Sequence, residues 1–159
     1  MKKLLLVVAL LMVVAVASFA QVSANITANV NAVVTVTRTA DLALGNVNQG
    51  ATATIASVAG GAAAFTVVGA ASAATSCTFA FPTDLLNGAI TMPFTGQTPR
   101  YNTVAVQGTS TLFGALTGGS ANTSAGGQLW LWVGGSVTAA PTQAAGSYTG
   151  TLTVTVTQP

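Results

Sequence analysis

From Ile26 to Thr37 the side chains alternate between apolar and polar. Ile26, Ala28, Val30, Ala32, Val34 and Val36 fall in one row and Thr27, Asn29, Asn31, Thr35 and Thr37 in the other, with Val33 alone breaking the pattern. The end of the chain repeats it: Tyr148, Gly150, Leu152, Val154 and Val156 alternate with Thr149, Thr151, Thr153, Thr155 and Thr157. Successive residues of a strand point to opposite sides of a sheet, so a period of two marks strands with one face in a core and one in solvent. β-Branched residues dominate both segments and suit a pleated surface.

Shorter strand candidates lie between these ends. Residues 52–58 and 64–68 flank Gly60-Gly61, which reads as a hairpin turn. Residues 76–81 form the next candidate and stop at Pro82. Asn87-Gly88 signals a turn ahead of 89–94. Residues 102–107 and 111–116 follow, then a loop over 117–127 rich in Gly, Ser, Ala and Asn. Residues 128–133 form a further strand, Gly134-Gly135 a bulge or bend, 136–138 a short strand, and 141–146 a turn. No segment after the N-terminal stretch carries a helical period. About seven to nine short strands with regular turn signals predict an all-β fold, an immunoglobulin-like antiparallel β-sandwich, with a closed barrel as the alternative.

The N-terminus has a different grammar. Lys2 and Lys3 precede an apolar run over 4–19 that only Ser18 interrupts, and Ser18-Phe19-Ala20 sets small residues at both recognition positions of a signal peptidase. Residues 1–20 therefore read as a secretory signal peptide and 21–159 as one β-sandwich domain; cleavage after Ala24 also satisfies the pattern. The run is short for a bilayer span and no basic cluster follows it, so no membrane span is expected after cleavage. The expected location is the periplasm, the outer surface or the extracellular space.

Without the first twenty residues the charges are Arg38 and Arg100 against Asp41 and Asp84, with no Lys, Glu or His. Nucleic-acid binding needs clustered Lys and Arg and is excluded on that ground. A Ser-His triad or a His-activated thiol lacks its base, and one cysteine cannot build a zinc site. Asp41 and Asp84 sit in different predicted loops and read as solvated turn residues rather than an acid–base pair. Calcium would have only Asp41 with Asn46 or Asn48 to draw on, short of the usual carboxylate set. The chain is expected to be no enzyme, with no metal site and no cofactor. Few charges also mean little repulsion between copies, which favours association.

Two features invite partners. Trp130 and Trp132 project from the same face of their strand, either shielded by a neighbouring loop or forming an aromatic platform for a sugar ring or a partner surface. The first and last strands are long, Thr-rich and without Lys, so as sheet edges they are open to pairing between subunits. Cys77 shares a strand face with Phe79 and Phe81 and reads as a buried thiol, the alternative being an intermolecular disulfide.

Two stretches carry a resemblance. The first is Asp41-Leu42-Ala43-Leu44-Gly45-Asn46-Val47 followed by Ala64-Phe65-Thr66-Val67-Val68-Gly69. The second is Leu131-Trp132-Val133-Gly134-Gly135-Ser136-Val137, followed by the run Gln143-Ala144-Ala145-Gly146-Ser147-Tyr148-Thr149-Gly150 into the last strand. Together they resemble the bacterial domain-of-unknown-function family forty-four-oh-two, which implies small exported β-sandwich proteins of Gram-negative bacteria and supplies no catalytic residues. The Gly-Tyr ending is also similar to spore-coat-U-type and fimbrial subunits, although the paired cysteines of many such subunits are absent. The expected role is a structural or assembly component of the cell surface or matrix, the alternative an adhesin or carbohydrate-binding module using Trp130 and Trp132.

Overall fold

The structure is a computed structural model and describes residues 33–159. The predicted signal peptide and the alternating residues Ile26 to Ala32 lie outside the described residues.

The described chain forms twelve strands and one 3-10 turn. They are β1 (Thr35–Ala40), β2 (Thr52–Ile55), β3 (Ala63–Val68), β4 (Ala74–Ala80), β5 (Asp84–Asn87), β6 (Ile90–Gly96), β7 (Arg100–Asn102), the turn Gln107–Thr109, β8 (Thr111–Leu112), β9 (Gly118–Asn122), β10 (Gln128–Val133), β11 (Gly135–Thr138) and β12 (Thr153–Thr157). Every strand pair is antiparallel. A five-stranded sheet runs β1-β3-β10-β7-β8, a four-stranded sheet β2-β11-β6-β5 and a three-stranded sheet β12-β4-β9. The two smaller sheets meet at the C-terminal run, which first bridges β5 through Leu86 and Thr149 and then pairs with β4 as β12. The all-β antiparallel sandwich expected from the alternation is the fold observed.

The main core lies between the five-stranded and three-stranded sheets. Val67 of β3 and Leu129, Leu131 and Val133 of β10 have no exposed surface, and they meet Cys77 and Phe79 of β4 and Ala121 of β9. Phe113 fills the end of this layer against Phe79 and Tyr101, with ring centroids 5.7 Å and 4.7 Å away. A second, smaller cluster of Met92, Val137 and Ala139 lines the four-stranded sheet. Its cover includes Leu44 and Val47, from an irregular stretch that follows β1.

The chain passes from one sheet to another between β10 and β11, at Gly134. Its N–H donates to Ser57 Oγ at 3.0 Å, and its carbonyl accepts from Gln97 N at 3.1 Å. A Cβ here would collide with the Ile55 carbonyl oxygen and stand 2.6 Å from the Ser57 nitrogen. The glycine is required by close backbone approach, and the bend expected at Gly134-Gly135 is where the chain changes sheets.

Several local expectations are corrected. Residues 52–58 and 64–68 do not form a hairpin: β2 pairs with β11 and β3 with β1 and β10, so Gly60-Gly61 joins two sheets. Residues 102–107 are not a strand. The pairing with β10 is taken by Arg100–Asn102, and the chain then bends into the 3-10 turn. Within 111–116 only Thr111–Leu112 forms a strand, and Ala115 makes an isolated bridge to Gly118. The Gly-rich loop over 117–127 contains β9, whose small residues lie against β4. The turn after β5 is Gly88-Ala89, with positive φ at Gly88 alone, the pattern of a type II′ hairpin. Asp84 opens β5 instead of lying in a loop.

Replacing Gly134 with Val should cost about 1–3 kcal/mol or more in urea unfolding, because the obstruction is backbone. Gly60→Ala, with open space around it, should stay within about 0.5 kcal/mol of the parent. Burial raises the Cys77 thiol pKa to about 11, so the thiolate is scarce at neutral pH. Iodoacetamide should leave Cys77 unmodified in the native chain at pH 8 and alkylate it in urea; rapid native labelling would contradict the burial.

Candidate functional site

Trp130 and Trp132 occupy the outer face of the five-stranded sheet, since Leu129, Leu131 and Val133 take the inner one. Trp130 stands opposite Thr66 and Asn102, and Trp132 opposite Ala64 and Arg100. Their exposures differ: Trp132 is only 8 % exposed, whereas Trp130 is half-buried.

A strap of the chain's own residues follows β7. Asn102 Nδ2 donates to the Val106 carbonyl at 2.9 Å and to Thr109 Oγ1 at 3.0 Å, and Arg100 Nε donates to Ser110 Oγ at 2.9 Å. Both donors lie on the Trp-bearing face, so they hold the segment after β7 over it. Gln107 Nε2 then reaches the carbonyls of Ser57 and Ala59, at 2.8 and 3.0 Å, next to the start of β3.

The other candidate is an open slot of about 1140 Å³. One rim is the stretch following β1, through Leu44 and Val47, and the other runs from Gln143 to Leu152. Phe65, Leu85, Met92, Phe94 and Val137 line it within. Among the described residues, no backbone hydrogen bond involves residues 44–47 on one rim or 150–152 on the other. Among the described residues, a side-chain bond joins the rims at one end, where Gln49 Nε2 donates to the Gln143 carbonyl at 2.6 Å, while Gln143 Nε2 donates to Tyr148 Oη at 2.7 Å within its own rim. Leu42, Leu152, Val154 and Val156 pack against the main core yet remain only partly buried.

Arg38 and Asp41 form an ion pair at 2.8 Å on the slot's lining, with side chains 67 % and 72 % exposed. So exposed a pair contributes at most about 1 kcal/mol. Asp84 pairs in register with Pro93 in the β5–β6 hairpin. Among the described residues, no three His, Cys, Asp or Glu side chains cluster as metal ligands, and no helix is long and apolar enough to cross a membrane.

Sequence reasoning placed the Trp pair on one face but missed both the strap and the slot. Strand periodicity cannot report either, because both are built from irregular segments. The one legible sign of the slot was Leu42 and Leu44, apolar at a spacing of two in a stretch that no partner strand takes up.

A search of characterised proteins returned no match. The family model described as Domain of unknown function (DUF4402) matches residues 14–157, nearly the whole chain. The resemblance to this family carried by the two quoted stretches thus extends over nearly the whole chain, and the chain belongs to the DUF4402 family.

Proposed function

We propose that the protein is an exported, non-catalytic structural subunit of the bacterial cell surface or extracellular matrix, which assembles through its sheet edges. The observation that carries this reading is the state of the edges. β1 ends the five-stranded sheet and β12 ends the three-stranded one. Both are Thr/Val strands, β1 exposed throughout and β12 exposed along its Thr row. Stable monomers protect such edges with Lys, Pro, inward charges or a covering element. Here the one charge on either strand is Arg38, and Asp41 neutralises it. The N-terminal signal grammar and the near-absence of charge support export and self-association. The residue inventory, with no His and no Glu, supports a role without catalysis.

A surface- or glycan-binding role is the second reading, and half-buried Trp130 beside Asn102 and Arg100 favours it. Substituting both tryptophans would not test it cleanly. Removing buried Trp132 should cost about 3–5 kcal/mol and disturb the fold. Trp130→Ala should be much milder and is the informative variant. On a glycan array, binding by the parent chain that Trp130→Ala abolishes would favour the second reading.

The first reading predicts large regular oligomers or fibres in size-exclusion chromatography and negative-stain electron microscopy. A lysine in place of Val36 on β1, or of Thr155 on β12, should shift them toward monomer while leaving the circular dichroism spectrum unchanged. A parent chain that stays monomeric at every concentration would sink this reading.

A further inference from the structure

We infer that Arg100 is the anion-binding end of a small-molecule site, and that its ligand is an aliphatic monocarboxylate. A half-buried guanidinium that no acid neutralises stands there beside three exposed aliphatic side chains. The site is separate from the edge strands β1 and β12 and does not depend on assembly.

The charge on Arg100 has no counterpart in this chain. The sequence holds two acids, Asp41 and Asp84, and residues 1–32 add none. Asp41 pairs with Arg38, and Asp84 forms no ion pair among the described residues. The contacts of Arg100 are neutral: Nε donates to Ser110 Oγ at 2.9 Å and Nη2 to the Ser110 carbonyl. Holding the strap does not require a charge. Asn102, two residues on, holds it with a neutral amide that donates to the Val106 carbonyl and to Thr109 Oγ1. Taking a cation partly out of water is costly unless an anion meets it.

The guanidinium is oriented to receive that anion. Ser110 takes the Nε–Nη2 edge of its plane, which leaves the Nη1–Nη2 edge. Nη1 bonds to no described residue, and no buried side-chain nitrogen among them lacks a partner, so Nη1 opens to the surface. Two parallel N–H groups match the two oxygens of a carboxylate. Ser110 is itself buried and donates to the Gln107 carbonyl, so the plane of the fork is fixed before a ligand arrives.

The surroundings select the rest of the ligand. Arg100 lines a shallow depression of about 490 Å³, within the roughly 300–1,000 Å³ of small-molecule sites. Val58, Leu112 and Leu116 line it as well and are exposed. No acid lies on the lining, so a cation finds no partner there. One fixed positive charge matches one negative charge, and the aliphatic side chains match an alkyl body. An alkyl chain ending in a carboxylate supplies both. Inorganic phosphate lacks the alkyl body, and an alcohol lacks the charge.

Equilibrium dialysis of the full chain against octanoate tests this, with octanol, acetate and inorganic phosphate as comparison probes. Octanoate should bind saturably, one per chain, and at least about tenfold more tightly than any of the three. Arg100→Gln keeps a donor for Ser110 and should weaken octanoate binding by at least about tenfold. Arg100→Lys keeps the charge without the fork and should restore only part of it. Leu116→Ser leaves Arg100 and the strap in place and should weaken octanoate several-fold with an unchanged circular dichroism spectrum. Octanol binding as tightly as octanoate, or parent-like affinity in Arg100→Gln, would overturn the anion role of Arg100. Acetate or phosphate binding as tightly as octanoate, or parent-like affinity in Leu116→Ser, would overturn the aliphatic assignment. A chain that takes up no octanoate saturably would overturn the site altogether.

Discussion

The close approach of backbone at Gly134 fixes how the sheets meet. β10 and β11 are nearly continuous in sequence, yet one lies at the centre of the five-stranded sheet and the other in the four-stranded sheet. That corner is held by a glycine seated on the Ile55 carbonyl and by hydrogen bonds to Ser57 and Gln97. Ser57 Oγ in turn donates to the Thr98 carbonyl at 3.0 Å, so the buried hydroxyl is satisfied in both directions. From this corner β10 sends three fully buried side chains into the main core. β11 sends Val137 into the smaller one.

The two cores are covered differently. The main core is closed by a sheet on each side. The smaller one is covered in part by irregular chain, through Leu44 and Val47. Apolar side chains there are only partly buried. In a chain with almost no charge, little electrostatic repulsion opposes association.

The strand architecture was legible because alternation is a direct print of one-sided burial. Residues 128–133 emerged as expected, whereas the C-terminal alternation from Tyr148 onward forms a strand only over Thr153–Thr157, with an isolated bridge at Thr149. What failed were inferences about partners. Gly60-Gly61 looks like a hairpin turn locally, but the choice between pairing β2 with β3 or with β11 is made by the Gly134 corner, far away in sequence. β9 was hidden because its Gly, Ser and Ala residues carry no strand propensity of their own. It forms because β4 offers a ladder and because Gly118, at φ +112°, can pass against the Cys77 carbonyl. The strap after β7 was equally hidden, since it depends on Asn102 and Arg100 bonding to residues 106–110 and on Gln107 reaching the Ser57 and Ala59 carbonyls. The Trp pair thus divides into one tryptophan that supports the fold and one that meets solvent, a distinction no spacing rule contains.

The central claim is that the edge strands β1 and β12 become paired on assembly. Amide hydrogen exchange resolved to Thr35–Ala40 and Thr153–Thr157, compared between dilute and concentrated protein, measures this directly. The account predicts fast exchange at the outward amides of both edges in dilute solution and marked protection at high concentration, while the β10 amides stay protected throughout. Edge exchange that remains equally fast at both concentrations would contradict it.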